Sequence, residues 1–261
     1  MPAGMITRRT FPFTTALVTG ASSGIGLELA RQLGRAGVAV AVSARRENRL
    51  LTLAEEIAVA GSRTLVLPAD LTRASEARRI VLEAERGLGP LDLVIANAGA
   101  GEVGPVHLMP WDAMEQILLL NAVASIALIH AALPGMAARR AGFVAGISSL
   151  ASYRGINGSN VYSASKAALS TFLETVRVEM RPFGVSVTDI HPGFVRTAMT
   201  SRHERWRPFI MDADRAASVI LQAILRRKAV VDFPWQMGLV LRVARWLPPA
   251  LFDAIVTRTN R

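Results

Sequence analysis

Two apolar rhythms alternate along the chain. Short runs of consecutive apolar residues, as in strands buried on both faces, are separated by longer stretches in which apolar side chains return every three or four positions, the helical period. Residues 15–18 form the first run, and Ile25, Leu29 and Leu33 mark the helix after it. Residues 38–42 predict a second strand and 50–60 a second helix; 63–67 and 74–86 are the third pair, and 91–96 a fourth strand. A long helix over 111–137 follows, then a fifth strand at 142–147, a helix over 162–180, a sixth strand at 185–190 and a candidate seventh at 229–233. Such alternation predicts an α/β protein with a doubly wound parallel sheet of about seven strands in a single domain, residues 1–233. Residues 234–261 are read as an extension of that domain.

Composition adds limits. The chain has 261 residues, 51% hydrophobic and 19% charged, enough to bury a core and too apolar for a disordered chain. With no cysteine, disulfides, thiolate metal sites and cysteine nucleophiles are excluded. His107, His130, His191 and His203 lack metal-ligand spacing, so they are expected at the surface or satisfied in the core, and no metal is expected. Residues 1–13 carry Arg8 and Arg9 without the apolar stretch of a secretory signal, so a cytoplasmic location is expected. Residues 116–138 hold no charge and reach the length of a membrane span. Asn121, Ser125, His130 and Pro134 interrupt them, which favours a helix buried in the core or in a subunit contact. The formal charge is +10, and its excess lies mainly in residues 177–261, with 14 basic against 7 acidic residues. That third contains no nucleic-acid-binding module, and no nucleic acid is expected. An anionic lipid surface, an acidic substrate or a solvated Arg-rich surface all fit it.

Directly after the first strand stands Thr19-Gly20-Ala21-Ser22-Ser23-Gly24-Ile25-Gly26. Glycines at a strand-to-helix turn let backbone approach a pyrophosphate, and the helix N-terminus offers unpaired N–H groups and a positive dipole end. The loop is therefore a candidate dinucleotide site, with a tight structural turn as the plain alternative. An acid at the end of the second strand would favour the ribose hydroxyl of NAD; here Ser43-Ala44-Arg45-Arg46 supplies two guanidiniums, suited to the 2′-phosphate of NADP(H). Arg45 is the candidate, and NADP(H) is favoured over NAD(H). Asp70 follows the third strand, where it would meet the adenine amino group or else cap the next helix.

Tyr162 and Lys166 stand four apart at the start of a helix, on one face, in a chain with only two tyrosines. A phenol titrates near 10, and an adjacent ammonium would lower it toward the working range of a general acid or base.

With these residues and Asn97-Ala98-Gly99, Asn121, Ile147-Ser148-Ser149 and residues 192–197 (PGFVRT) in order, the chain resembles the single-domain short-chain dehydrogenase/reductases over roughly residues 15–233. The resemblance implies a Rossmann-like fold and an NAD(P)(H)-dependent oxidoreductase that interconverts a carbonyl and an alcohol. It implies Ser149, thirteen residues before Tyr162, as the donor to the substrate oxygen. Tyr162 is then the proton donor, Lys166 binds the nicotinamide ribose and lowers the Tyr162 pKa, and Asn121 holds a relay water. Asn97, Ala98 and Gly99 would shape the cofactor cleft, while Pro192, Gly193, Val195 and Thr197 pass beside the nicotinamide. A homodimer or homotetramer is implied, paired through the helices that hold Trp111 and Tyr162. Ala96 departs from the Asn usual there. The alternatives are an NAD(H)-dependent alcohol dehydrogenase and a non-catalytic nucleotide-binding scaffold.

The tail sharpens the substrate reading. Met199, His203, Trp206, Phe209 and Met211 would form a cover over an apolar substrate. From Trp235 onward, Leu239, Val240, Val243 and Trp246 interleave with Arg242 and Arg245, as in an interfacial amphipathic helix; a subunit contact is the alternative. The extension resembles tails of family members that handle lipid-like substrates more than it does the carrier-protein reductases, which end near the seventh strand. Peripheral contact with a membrane is therefore among the expectations.

Overall fold

The computed structural model describes residues 11–197 and 209–258. The expected cover residues Met199, His203 and Trp206 lie outside these, as do Arg8 and Arg9. Seven parallel strands form one sheet: β1 (Thr15–Thr19), β2 (Ala39–Ala44), β3 (Thr64–Pro68), β4 (Leu93–Ala96), β5 (Gly142–Ile147), β6 (Val185–Pro192) and β9 (Val230–Phe233). Their order is β3-β2-β1-β4-β5-β6-β9, so the winding reverses between β1 and β4. Two further strands, β7 (Val195–Arg196) and β8 (Met211–Asp212), make a separate parallel pair that the apolar pattern does not foretell, because each is too short to carry one.

Adjacent strand residues enter opposite cores, the period-two rule at work. Val18, Val42, Ile95 and Ala145 face one side, packed with Leu29 and Leu33 of α1 (Gly24–Arg35), Leu50 and Leu53 of α2 (Glu47–Val59) and Ile220 and Ile224 of α7 (Ala213–Leu225). Leu17, Ala41, Val94 and Val144 face the other, packed with Ile80 of α3 (Ala74–Leu88), Leu128 of α5 (Ala124–Ala138) and Leu169 and Leu173 of α6 (Asn160–Glu179). Strands covered on both sides must be apolar throughout, which is why they read as uninterrupted runs.

The long helix has a fault in it. α4 (Trp111–Leu118) passes through a π-helical turn, Leu119–Val123, into α5. The stretch Trp111–Ala138 is long and apolar enough to cross a membrane by length and composition. Leu128, Ile129, Ala132 and Met136 are buried in the core on the α3 side, as expected for a core helix. After β9 come α8 (Trp235–Ala244) and α9 (Pro249–Arg258).

Candidate active site

The carboxyl ends of β1 to β6 surround a cavity of about 530 Å³ at the point where the winding reverses, the usual ligand position in open α/β sheets. Of the sequence candidates, the wall includes Gly20, Ser22, Ser23, Gly24 and Ile25 from the first turn and Arg45 and Asp70 from the β2 and β3 ends. Asn97, Ala98 and Gly99 line it after β4, Tyr162 and Lys166 from α6, and Pro192, Gly193, Val195 and Thr197 beyond β6. Residues from 20 to 197 in the chain thus meet in one cleft.

Three candidates, Gly26, Asn121 and Ser149, stand outside the wall, and the first two serve it from behind. A Cβ on Gly26 would strike Gly20 O at 2.5 Å, so this glycine permits the turn without lining the cavity. Gly20 itself sits at φ +67°, where a side chain would be strained, and its missing Cβ leaves room for Ala98 backbone. Asn121, wholly buried in the π turn, accepts from Ala100 N at 2.8 Å and donates to Ala100 O at 2.8 Å and to Ser165 Oγ at 3.0 Å. Its amide clamps the loop after β4 to α6. A π turn widens the helix by one residue, which here lets an inward amide reach the next loop. Thr19 fixes that loop from the other side, its Oγ1 accepting from Asn97 N at 3.0 Å and Ala98 N at 3.1 Å.

At the β2 end, Arg46 rather than Arg45 is tied to the glycine turn. Its Nη2 donates to Ser22 Oγ at 2.8 Å and Ser23 Oγ at 2.7 Å, while Arg45 lines the cavity beside Asp70. The Ser43-Ala44-Arg45-Arg46 motif contained this signal, but only the side-chain geometry separates the two arginines. Asp70 accepts from Thr72 N at 3.2 Å and Thr72 Oγ1 at 2.9 Å, so it also shapes the turn before α3. Burial works against its charge, but the Thr72 hydrogen bonds, with Arg45 and Arg73 nearby, hold its pKa below the usual value.

Ser149 follows β5 by two residues, caps the short 3-10 turn of residues 150–152 by accepting from Ala151 N at 3.1 Å, and stands close enough to Tyr162 to act on its pKa. Lys166, buried, donates from Nζ to Ile147 O at 2.7 Å, with Nζ 6.0 Å from the Tyr162 ring centroid. Burial lowers the Lys166 pKa to about 8, and the charge of Asp189 works against that fall. The expectation that Lys166 lowers the Tyr162 pKa needs correction for this structure. Burial pushes the phenol up, with only the Ser149 hydrogen bond opposing it, because the ammonium is turned toward the Ile147 carbonyl.

Sequence reasoning placed His191 in the surface-or-core class and missed its surroundings. It is 3% exposed and held between two carboxylates, Nε2 to Asp189 Oδ2 at 2.8 Å and Nδ1 to Asp232 Oδ1 at 2.8 Å. A signal was present: Asp189 and His191 are titratable residues two apart in a strand paired on both sides, hence on one face.

The glycine turn, whose absent side chains leave backbone facing the cavity, and the arginines at the β2 end together fit a dinucleotide phosphate. A model of the short chain dehydrogenase family matches residues 14–208. A Myxococcus xanthus protein named as an uncharacterized oxidoreductase is 42% identical over 94% of this chain and 97% of its own. A Nostoc ketoacyl reductase, HetN, is 33% identical over 71% of this chain and 65% of its own. Among solved structures, a short-chain dehydrogenase from Sphingobium yanoikuyae in complex with NADPH superposes with a TM-score of 0.79, at 27% identity over 90% of this chain and 97% of its own.

Proposed function

Because the chain belongs to the short chain dehydrogenase family and is an oxidoreductase of that family, we propose that it interconverts a carbonyl and a secondary alcohol on an apolar substrate, with NADP(H) as cofactor. The observation that carries this reading is the meeting of Tyr162 and buried Lys166 with the glycine turn around one cavity, with Ser149 beside Tyr162 just outside its wall. The nicotinamide, when bound, supplies or accepts the hydride at the substrate carbon. In the reductive direction Ser149 donates a hydrogen bond to the carbonyl oxygen, stabilising the negative charge that grows there. Tyr162 transfers its proton to that oxygen, which completes the alcohol, and is reprotonated from solvent on the Lys166 side. Lys166 would hold the ribose hydroxyls with its ammonium, and Asn121 keeps the loop of residues 97–100 against α6.

The preference for NADP(H) is supported by Arg45 and Arg46, which present two guanidiniums and no acid at the β2 end. The NADPH-bound neighbour supports it in the same sense. The test is a fluorescence titration of the protein with NADPH and NADH, repeated on R45A and R46A. NADPH is expected to bind more tightly, with the preference reduced at least about tenfold in a variant, the loss of one charge-assisted pair. An unchanged ratio in both variants would assign the chain to the NAD(H) reading.

Residues 1–233 are read as the catalytic unit and 234–261 as a basic extension that seats on an anionic lipid surface, in the cytoplasm, near the source of an apolar substrate. Its support is a stripe of Trp235, Leu239 and Val243 on α8 continued by Trp246 just past its end, between 58% and 86% exposed, with Arg245 at the helix end and no acid on the helix. A homodimer or homotetramer is read from the exposed Trp111 and Val123 on the first of the two helices expected to pair.

A further inference from the structure

Four groups of alternating charge are paired in a row toward the C-terminal extension, Asp189, His191, Asp232 and Arg242, and the charge of Asp189 is felt at Lys166 of the candidate site. His191 is the centre. Each of its ring nitrogens lies 2.8 Å from a carboxylate oxygen, and carboxylates only accept, so both nitrogens must carry hydrogens; the ring is an imidazolium. The register explains the meeting. Asp189 and His191 alternate on one face of β6, and His191 stands opposite Asp232 of β9. Asp232 in turn takes Arg242 of α8, Nε to Oδ2 at 2.7 Å, and the Tyr153 hydroxyl at 2.9 Å. Gly238 lets α8 settle on this carboxylate, since a Cβ there would lie 2.7 Å from Asp232 Oδ2. The Tyr153 ring covers the imidazole edge-on, centroids 4.8 Å apart.

The inner end points to Lys166. Asp189 is 8% exposed, and its second oxygen, Oδ1, is buried without a hydrogen-bond partner among the described residues. Asp189 pairs in register with Gly146, next to Ile147, whose carbonyl holds Lys166 Nζ. A hydrogen-bonded path runs alongside: His191 Nε2 lies 3.1 Å from Ser170 Oγ, which donates to Ser148 Oγ at 2.8 Å, which donates to Lys166 O at 2.9 Å. His191 also stands directly before Pro192 and Gly193 of the cavity wall, and Gly193 N donates to Phe233 O at 2.7 Å, the residue after Asp232.

We propose that Asp189, His191, Asp232 and Arg242 form a charge ladder, buried at its first three members and reaching the surface at Arg242, that fastens helix α8 to the sheet and keeps Lys166 an ammonium, with Asp189 and His191 as positioning residues of the site. The claim at Lys166 rests on the function proposed above; the ladder itself does not. Each member has a neighbour of opposite sign, so no buried charge stands uncompensated, and removal of one leaves its neighbours exposed to the full desolvation cost. The titratable and charged groups facing the ladder are Tyr162 from α6 at Lys166, and Tyr153, before α6, at His191 and Asp232.

Two measurements on the full chain test it. The first follows the melting temperature from pH 6 to 10. Wild type is expected to lose stability as His191 deprotonates, and H191Q to lose that slope; R242Q is expected to melt lower, with R242K restoring it. A wild-type slope retained in H191Q would overturn the ladder. Should H191Q not fold, D189N, which keeps the His191–Asp232 pair, is expected to show a weakened slope, and an unaltered one would count against the ladder equally. The second follows NADPH and NADH affinity over the same pH range. In D189N the alkaline fall in affinity is expected about one pH unit earlier, with affinity at pH 6.5 within about threefold of wild type, as for the loss of one nearby charge. Identical profiles would remove Asp189 from the site. Absence of cofactor binding by wild type would instead sink the proposed function and the claim at Lys166, while the melting arm still decides the ladder.

Discussion

At the scale of single residues, the site depends on two that do not line the cavity. Gly26 fits only because nothing projects from its Cα; G26A drives a methyl into Gly20 O. The turn must then open, and the variant is expected to lose about 1–3 kcal/mol of stability, as overpacked sites do, and most of its cofactor affinity. Denaturant melts and nicotinamide fluorescence read the two effects. Asn121 spends its amide on three hydrogen bonds. N121A strands Ala100 N and Ala100 O, at about 1–3 kcal/mol for unsatisfied buried groups, and is expected to weaken cofactor binding by releasing the loop of residues 97–100. N121A with wild-type affinity would show that the loop stands without the clamp. Such roles are half legible in sequence. The glycine turn marked Gly26 and the resemblance marked Asn121 as the holder of a relay water, but only packing shows that both act from behind the cavity wall. Arg46 was visible as a charge; that its guanidinium grips Ser22 and Ser23 was not, because side-chain direction is not a function of spacing.

At the scale of elements, strands buried on both faces were plain, because burial makes them uniformly apolar. The π turn was not, since Leu119–Val123 has the same apolar character as the helices around it and its distinction is one extra residue per turn. The β7–β8 pair was illegible for want of length. Helix α8 was read as amphipathic, and its exposed stripe agrees with that pattern. Its fastening was not read, because Arg242 and Asp232 lie ten apart in the chain and meet only once β9 joins the sheet edge. If the stripe seats on lipid, the full chain should sediment with vesicles containing anionic lipid, less so with neutral ones, and binding should weaken with salt. Paired L239E and W246E substitutions, each removing an exposed apolar anchor, are expected to lower vesicle affinity at least about tenfold. A change in oligomeric state with no vesicle binding in wild type would assign the stripe to a second copy of the chain.

At the scale of the whole molecule, two buried cations shape stability in opposite directions. Burial disfavours the His191 cation, but Asp189 and Asp232 prevail and raise its pKa to about 9. A pKa raised on folding lends stability that is complete below the unfolded value near 6.5 and lost as pH rises through about 9. Lys166 is lowered to about 8 by burial, so it costs stability below that pH and the cost is relieved as pH rises toward 10.5. Stability should therefore fall between pH 6.5 and 8, by an amount on the order of 2 kcal/mol, and the melting temperature with it, then level as the two slopes oppose. A curve that rises through pH 6.5–8 would contradict the charge assigned to His191.

The central claim is that Tyr162 moves the proton while a nicotinamide moves the hydride. Its most direct test is nicotinamide absorbance during turnover of a panel of apolar ketones and secondary alcohols by wild type and Y162F. Wild type is expected to turn over members of the panel, and Y162F to lose about 10²–10⁴-fold in kcat with cofactor affinity unchanged, the usual worth of a positioned general acid. Turnover retained in Y162F would contradict the account, and so would a wild-type protein that binds the cofactor and turns over nothing in the panel.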